Sequence, residues 1–150
     1  LNTHTPRIET LPALTLAGRG ATLDAAPADI VPALWSEVAG AFQRPGTVGY
    51  GVCLRGDKPG YFAGCDSRDL DPVPAGWRRL QLPAGRYAVF EHRRPVSAIA
   101  DTVDAVFQRW LPAAGLKSAD GELIFFERYG PGFDARRGAG DISLWLPLAT

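Results

Sequence analysis

The 150-residue chain contains no methionine, only two cysteines, Cys53 and Cys65, and only two histidines, His4 and His92. Two histidines without a supporting cluster do not make up an ordinary ligand set, so no metal and no cofactor is expected. A hairpin centred near residue 59 would set Cys53 opposite Cys65, and in a reducing compartment such a pair stays as two buried thiols. Net charge is also absent, with Lys+Arg 16 against Asp+Glu 16. No basic stripe marks a nucleic-acid surface, so direct nucleic-acid contact is not expected. No apolar run approaches the roughly 20 residues that cross a bilayer. Leu1 to Glu9 lacks the basic-then-apolar layout of a secretory signal, so the expected address is the cytoplasm, without membrane contact. There is no Ser-His-Asp order and no phosphate loop, because Gly130 to Gly140 lacks a strand before and a helix after it. No catalytic residue is assigned.

With 46% hydrophobic residues, 150 residues are ample for one core and short for two, and a single domain over residues 1–150 is expected. Arg7 to Ala21 reads as a β-tolerant stretch. From Pro27 to Arg44 the spacing turns helical, with Val31, Leu34, Trp35, Val38, Ala41 and Phe42 on one face, Asp29 as the N-cap and Pro45-Gly46 as the stop. Thr47 to Arg55 and Tyr61 to Ser67 read as two strands joined by a Gly-Asp-Lys-Pro-Gly loop. After a Pro-rich connector the order returns: a strand from Trp77 to His92, a helix from about Ser97 to Leu111, and strands at Glu122 to Tyr129 and Asp141 to Leu148. Leu11-Pro12-Ala13 recurs as Leu82-Pro83-Ala84, and Phe42-Gln43-Arg44 as Phe107-Gln108-Arg109, at equivalent points of both halves. A duplicated strand-helix-strand-strand module follows, with pseudo-repeats at about 7–68 and 77–148 and a ligand cleft on their pseudo-twofold axis.

One residue of the last repeat stands out. Glu127 lies inside the bulky run Ile124-Phe125-Phe126-Glu127-Arg128-Tyr129. A carboxylate in low dielectric loses hydration worth several kcal/mol. It therefore sits on a solvated edge, pairs with Arg128 or Arg86, or faces a hollow that receives a cationic or polarisable ligand. Strand alternation sets it on one face with Phe125 and Tyr129, and sets Trp145 opposite in facing to Leu144 and Leu146.

The runs Tyr50-Gly51-Val52-Cys53, Tyr61-Phe62-Ala63-Gly64-Cys65, Leu82 to Phe90, Trp110-Leu111-Pro112, Phe126-Glu127-Arg128-Tyr129, Phe133-Asp134 and Leu144-Trp145-Leu146-Pro147 resemble the gyrase-inhibitory-protein-like effector-binding family. They occur in the family's order over nearly the whole chain. The resemblance implies an α+β fold with an antiparallel sheet, two main helices and a central cleft that binds a small molecule. It also implies an acidic residue at the position of Glu127. Members stand alone or follow the DNA-binding helices of AraC-type and MerR-type regulators, where they bind lipophilic cations. Some act on DNA gyrase, and one subset resembles hydrolases of cyclopropanoid toxins. Sequence before Leu1 decides between a free binder and the sensor part of a regulator, and an exposed sheet edge would support a homodimer.

The expected ligand is thus a lipophilic cation. Aromatic faces attract cations with roughly 0.5–2 kcal/mol per contact. Trp35, Tyr50, Phe107, Trp110, Tyr129 and Trp145 are the candidate ring contacts around Glu127. The helical rings among them also fit an ordinary core. In a hydrolase, Glu127 would be the general acid or base, with Tyr50 or Tyr129 positioning water.

Overall fold

The computed structural model describes residues 4–23, 27–42, 46–70 and 72–150. Each half opens with a strand that a proline interrupts. Strands β1 (Arg7–Leu11) and β2 (Leu14–Thr22) flank Pro12-Ala13, and β5 (Arg78–Leu82) and β6 (Gly85–His92) flank Pro83-Ala84. Proline has no N–H for a ladder, so a long strand stops there. The repeated Leu-Pro-Ala is the point at which the chain changes partner: β1 pairs with β6 of the other half, and β5 pairs with β2. The single strand expected from Trp77 to His92 is for this reason two strands.

Strands β3 (Gly49–Leu54), β4 (Gly60–Asp66), β7 (Leu123–Tyr129) and β8 (Ile142–Pro147) complete an eight-stranded sheet ordered β1-β6-β8-β7-β3-β4-β2-β5. Every pairing in it is antiparallel. Exchanging β1 with β5, β2 with β6, β3 with β7 and β4 with β8 reverses this order onto itself. A pseudo-twofold axis therefore runs between β3 and β7. The β3–β4 hairpin pairs Cys53 with Tyr61 and Leu54 with Gly60, which centres it on Asp57 instead of residue 59. Pro59 cannot donate to the ladder, so pairing restarts at Gly60. Cys53 consequently does not face Cys65; Cys65 lies across from Ala17, and both thiols are free.

The two faces of the sheet bury different clusters. On one face Leu16, Val52, Phe62, Leu82, Tyr87, Val89, Phe126 and Trp145 form a core that also receives Leu11 of β1 and Leu80 of β5. Those last two come from opposite edges of the sheet. A flat sheet of eight strands at about 4.8 Å spacing would hold them roughly 34 Å apart, so the sheet must curl around this core into a half-barrel.

The outer face carries the helices. Helix α1 (Pro27–Ala39) sets Leu34 and Val38 against Tyr61 and Ala63 of β4. It ends at Ala39 with tighter turns from Ala41 and Phe42 back to Val38 and Ala39. The expected continuation to Arg44 fails here, and residues 43–45 lie outside the described residues. Asp29 falls within the first turn, where its charge complements the helix dipole, and is not the cap. Pro32 lies inside the helix.

On the other half, helix α2 (Ile99–Ala105) continues through a wider π-type turn, Val106–Trp110, into a last turn, α3 (Leu111–Ala113). Pro112 gives the widening a cause, since its ring would clash with the carbonyl four residues back and it has no N–H to donate there. This segment sets Val106 and Leu111 on Ala88, Phe90, Leu144 and Leu146. Full burial of each such aliphatic side chain is worth about 1.5–3 kcal/mol. Among the described residues no helix is long and apolar enough to cross a membrane.

Candidate functional site

The axis strand β7 alternates as its sequence requires. Phe126 joins the inner core while Phe125 meets the cluster under α2. Glu127 belongs to the outer, helix-covered face, and it is 6% exposed. Its Oε1 accepts hydrogen bonds from the Tyr61 and Tyr129 hydroxyls, each at 2.8 Å. The Trp35 Nε1–H in turn donates to the Tyr61 oxygen at 3.0 Å. Helix α1 and β4 each contribute one side chain to this chain of bonds, and β7 contributes two. Among the described residues no arginine or lysine pairs with Glu127, so neither Arg128 nor Arg86 neutralises it.

Burial pushes the Glu127 pKa up, and the two tyrosine hydrogen bonds oppose that without cancelling it. Burial also raises both tyrosines, and the neighbouring carboxylate raises them further, which keeps them protonated and donating. The result is a carboxylate that is hydrogen-bonded but not charge-compensated. An incoming cation can supply that compensation.

Gly51 makes the arrangement sterically feasible. It lies directly across from Glu127 in the β3–β7 ladder. A Cβ there would fall 2.0 Å from the Tyr61 hydroxyl oxygen and 2.5 Å from Glu127 Oε1. The two polar groups occupy the space a side chain would fill.

Beside this network lies a cavity of about 380 Å³, lined among others by Trp35, Phe42, Val96, Tyr129, Pro131 and Phe133. The Tyr129 ring meets Trp35 edge-on at 5.3 Å and Phe133 edge-on at 5.0 Å. Two rings of the hydrogen-bonded network, Trp35 and Tyr129, thus line the cavity, while Tyr61 and Glu127 do not.

Of the residues singled out from sequence, Glu127, Tyr129 and Trp35 come together here. Phe107 packs on Phe125 at 6.0 Å in the cluster under α2 and does not line this cavity. Trp110 stacks on His4 at 4.0 Å and tilts against Phe90 at 6.1 Å, away from the network. Tyr50 and Trp145 are in the inner cluster on the opposite face of the sheet. Sequence reasoning did not single out Tyr61, Gly51, Phe42 or Phe133 as parts of the site. For Tyr61 the signal was present: with the hairpin centred on Asp57, alternation sends a tyrosine to the face of Glu127, beside a glycine too small to block it.

Comparison with known proteins gives this geometry a family. The chain is 32% identical over 157 residues to the transcriptional regulator BrlR of Pseudomonas aeruginosa, covering 95% of this chain and 54% of BrlR. It therefore spans about half the length of that relative. Among solved structures, SAV2435 bound to tetraphenylphosphonium is similar with a TM-score of 0.69 at 19% identity, covering 96% of this chain and 93% of that one. An integron cassette protein from the mobile metagenome of Vibrio cholerae has a TM-score of 0.63 at 14% identity, covering 97% of this chain and 96% of that one. These two likenesses concern the fold. Over residues 7–148 the chain matches the integron-associated effector binding proteins typified by Cass2, and it belongs to that family.

Proposed function

We propose that this effector-binding chain takes a lipophilic monocation in the cavity beside α1, with Glu127 as its charge partner. One observation carries the proposal: a buried carboxylate held by two tyrosine hydroxyls, with no cationic partner among the described residues, behind a cavity walled by aromatic rings. A delocalised cation loses little hydration on entering such a site and gains from the π faces of Trp35, Tyr129 and Phe133. Rotation of Trp35 or Tyr129 would bring it into contact with the carboxylate. A neutral ligand of the same shape gains the rings but not the charge. The tetraphenylphosphonium seen on SAV2435, a fold relative, is of this chemical class and supports the reading.

In this proposal Phe107, Trp110, Tyr50 and Trp145, none of which lines the cavity, have no contact with the cation. Whether the chain works alone or as the sensor part of a regulator like BrlR, ligand capture is the same step. The test is a tryptophan-fluorescence titration of the wild type and Glu127→Gln with tetraphenylphosphonium and with neutral tetraphenylmethane-type analogues. Saturable binding of the cation that weakens in the variant supports the proposal. Equal binding by both proteins, or turnover of a bound ester or epoxide that depends on Glu127, would replace it with a neutral-ligand or hydrolase reading.

A further inference from the structure

The inner face of the sheet holds a second cavity that the Glu127 site does not use. Its volume is about 560 Å³, and Tyr50, Phe126, Arg128 and Trp145 lie along it, with the Leu11–Thr15 bend at its side. That size is within the range of small-molecule pockets. Phe126 and Trp145 are parallel to within 11° at 5.5 Å, and Tyr50 tilts against Phe126 at 5.7 Å. Trp145 Nε1 donates to Ser143 Oγ at 2.9 Å, which fixes the indole plane. The aromatic wall is therefore rigid before any ligand arrives.

Three charged groups line this cavity, Asp66, Arg68 and Arg128, and Asp69 acts on Tyr50 from outside the lining. Arg68 and Asp66 at the rim satisfy each other through three side-chain hydrogen bonds of 2.7–3.3 Å. Arg128 has no carboxylate partner among the described residues. It lies at the Tyr50 hydroxyl, where it works against the upward push that burial gives that group's pKa. A guanidinium beside flat rings matches a planar anion through paired N–H donors. The corresponding inner-face cavity in the other half, about 410 Å³, is bordered by Leu54, Leu80, Leu82 and Glu122 and has no aromatic wall. The duplicated fold has thus made one end aromatic and cationic and left the other aliphatic with a carboxylate.

We infer that the inner-face cavity at Arg128 is a second ligand site, for a planar aromatic anion such as an aryl carboxylate or sulfonate, separate from the cation site at Glu127. Neighbouring residues of β7 then present opposite charges to opposite faces of one sheet.

Naphthalenesulfonate and its neutral sulfonamide serve as probes, followed by isothermal titration against the wild type, Arg128→Gln and Glu127→Gln. The expected result is saturable binding of the sulfonate, weakened roughly tenfold or more by Arg128→Gln and unchanged by Glu127→Gln. The sulfonamide should bind all three proteins alike. Arg128 is half-exposed, and an unchanged circular-dichroism melt shows that the variant is folded. Absence of saturable sulfonate binding to the wild type overturns the inference, as does equal sulfonate affinity in wild type and Arg128→Gln. Loss of sulfonate binding in Glu127→Gln assigns the anion to the other cavity and overturns it too. Because no arm uses a cation, a failure of the Glu127 proposal leaves this result readable.

Discussion

Replacing Glu127 by Gln removes one charge and keeps an amide oxygen to accept from the Tyr61 and Tyr129 hydroxyls, so the network of 2.8 Å bonds can persist. With the rings left in place, the separation between cation and carboxylate is taken as roughly 7 Å for a Coulomb estimate. At an effective dielectric near 20 the Coulomb term is then about 2 kcal/mol, roughly thirtyfold in affinity. Tetraphenylphosphonium should lose about that factor in Glu127→Gln, and a neutral analogue should lose nothing.

Acidity offers a second view of the same carboxylate. Its native pKa is raised above the ordinary value by burial. Cation affinity in the wild type should therefore climb with pH through the native titration, with a proton released on binding, and should stay flat in the variant. The stability effect has the opposite sign. Between the unfolded and the native pKa the folded state holds a proton that the unfolded chain has lost. Stability is thus highest below the unfolded pKa and falls as pH rises to the native one, at about 1.4 kcal/mol per unit of that window. Glu127→Gln should abolish this slope. A wild type whose cation affinity does not change with pH anywhere in the range where it stays folded, or a loss below about threefold in Glu127→Gln, would refute the reasoning.

Three further outcomes can be checked. Tyr61→Phe removes one donor from Glu127 and strands the Trp35 N–H, which should cost about 1–3 kcal/mol in denaturant unfolding and move the pH midpoint of cation binding upward. Unchanged stability and an unchanged midpoint would show that the network carries no energy. Gly51→Ala places a methyl 2.0 Å from the Tyr61 oxygen, so it should destabilise by about 1–3 kcal/mol and abolish cation binding, measured by thermal melt and titration; wild-type binding would contradict the close approach. Burial raises the Cys65 pKa to about 11 and Cys53 higher still, so Ellman's reagent should react slowly with native protein and count two thiols after unfolding. A count of zero after unfolding would mean a disulfide instead.

Much of this arrangement was legible in the chain itself. The facing of Phe125, Glu127 and Tyr129 follows from a period of two, and the apolar stripes of both helices follow from steps of three and four. The echo of Leu-Pro-Ala marked equivalent points, but not that the strand there crosses to the other half, because partner choice is a long-range event. Register was the weakest inference. Moving the hairpin centre from residue 59 to Asp57 kept every side chain on its face yet replaced Cys65 by Tyr61 opposite Cys53.

Local sequence determined the elements, their apolar faces and the isolation of one carboxylate among rings, because each depends on neighbours within a turn or two. Tertiary structure alone decided which face of the sheet the helices would cover. That choice put Tyr61 on Glu127 and Trp35 on Tyr61, and left Tyr50 and Trp145 with Arg128 behind the sheet. Tyr61 and Glu127 are 66 residues apart in the chain, and only the closing of β3 between β4 and β7 brings their oxygens to 2.8 Å. The raised acidity of Glu127 belongs to that closure, since desolvation is a property of everything packed around a group and of nothing within its own segment.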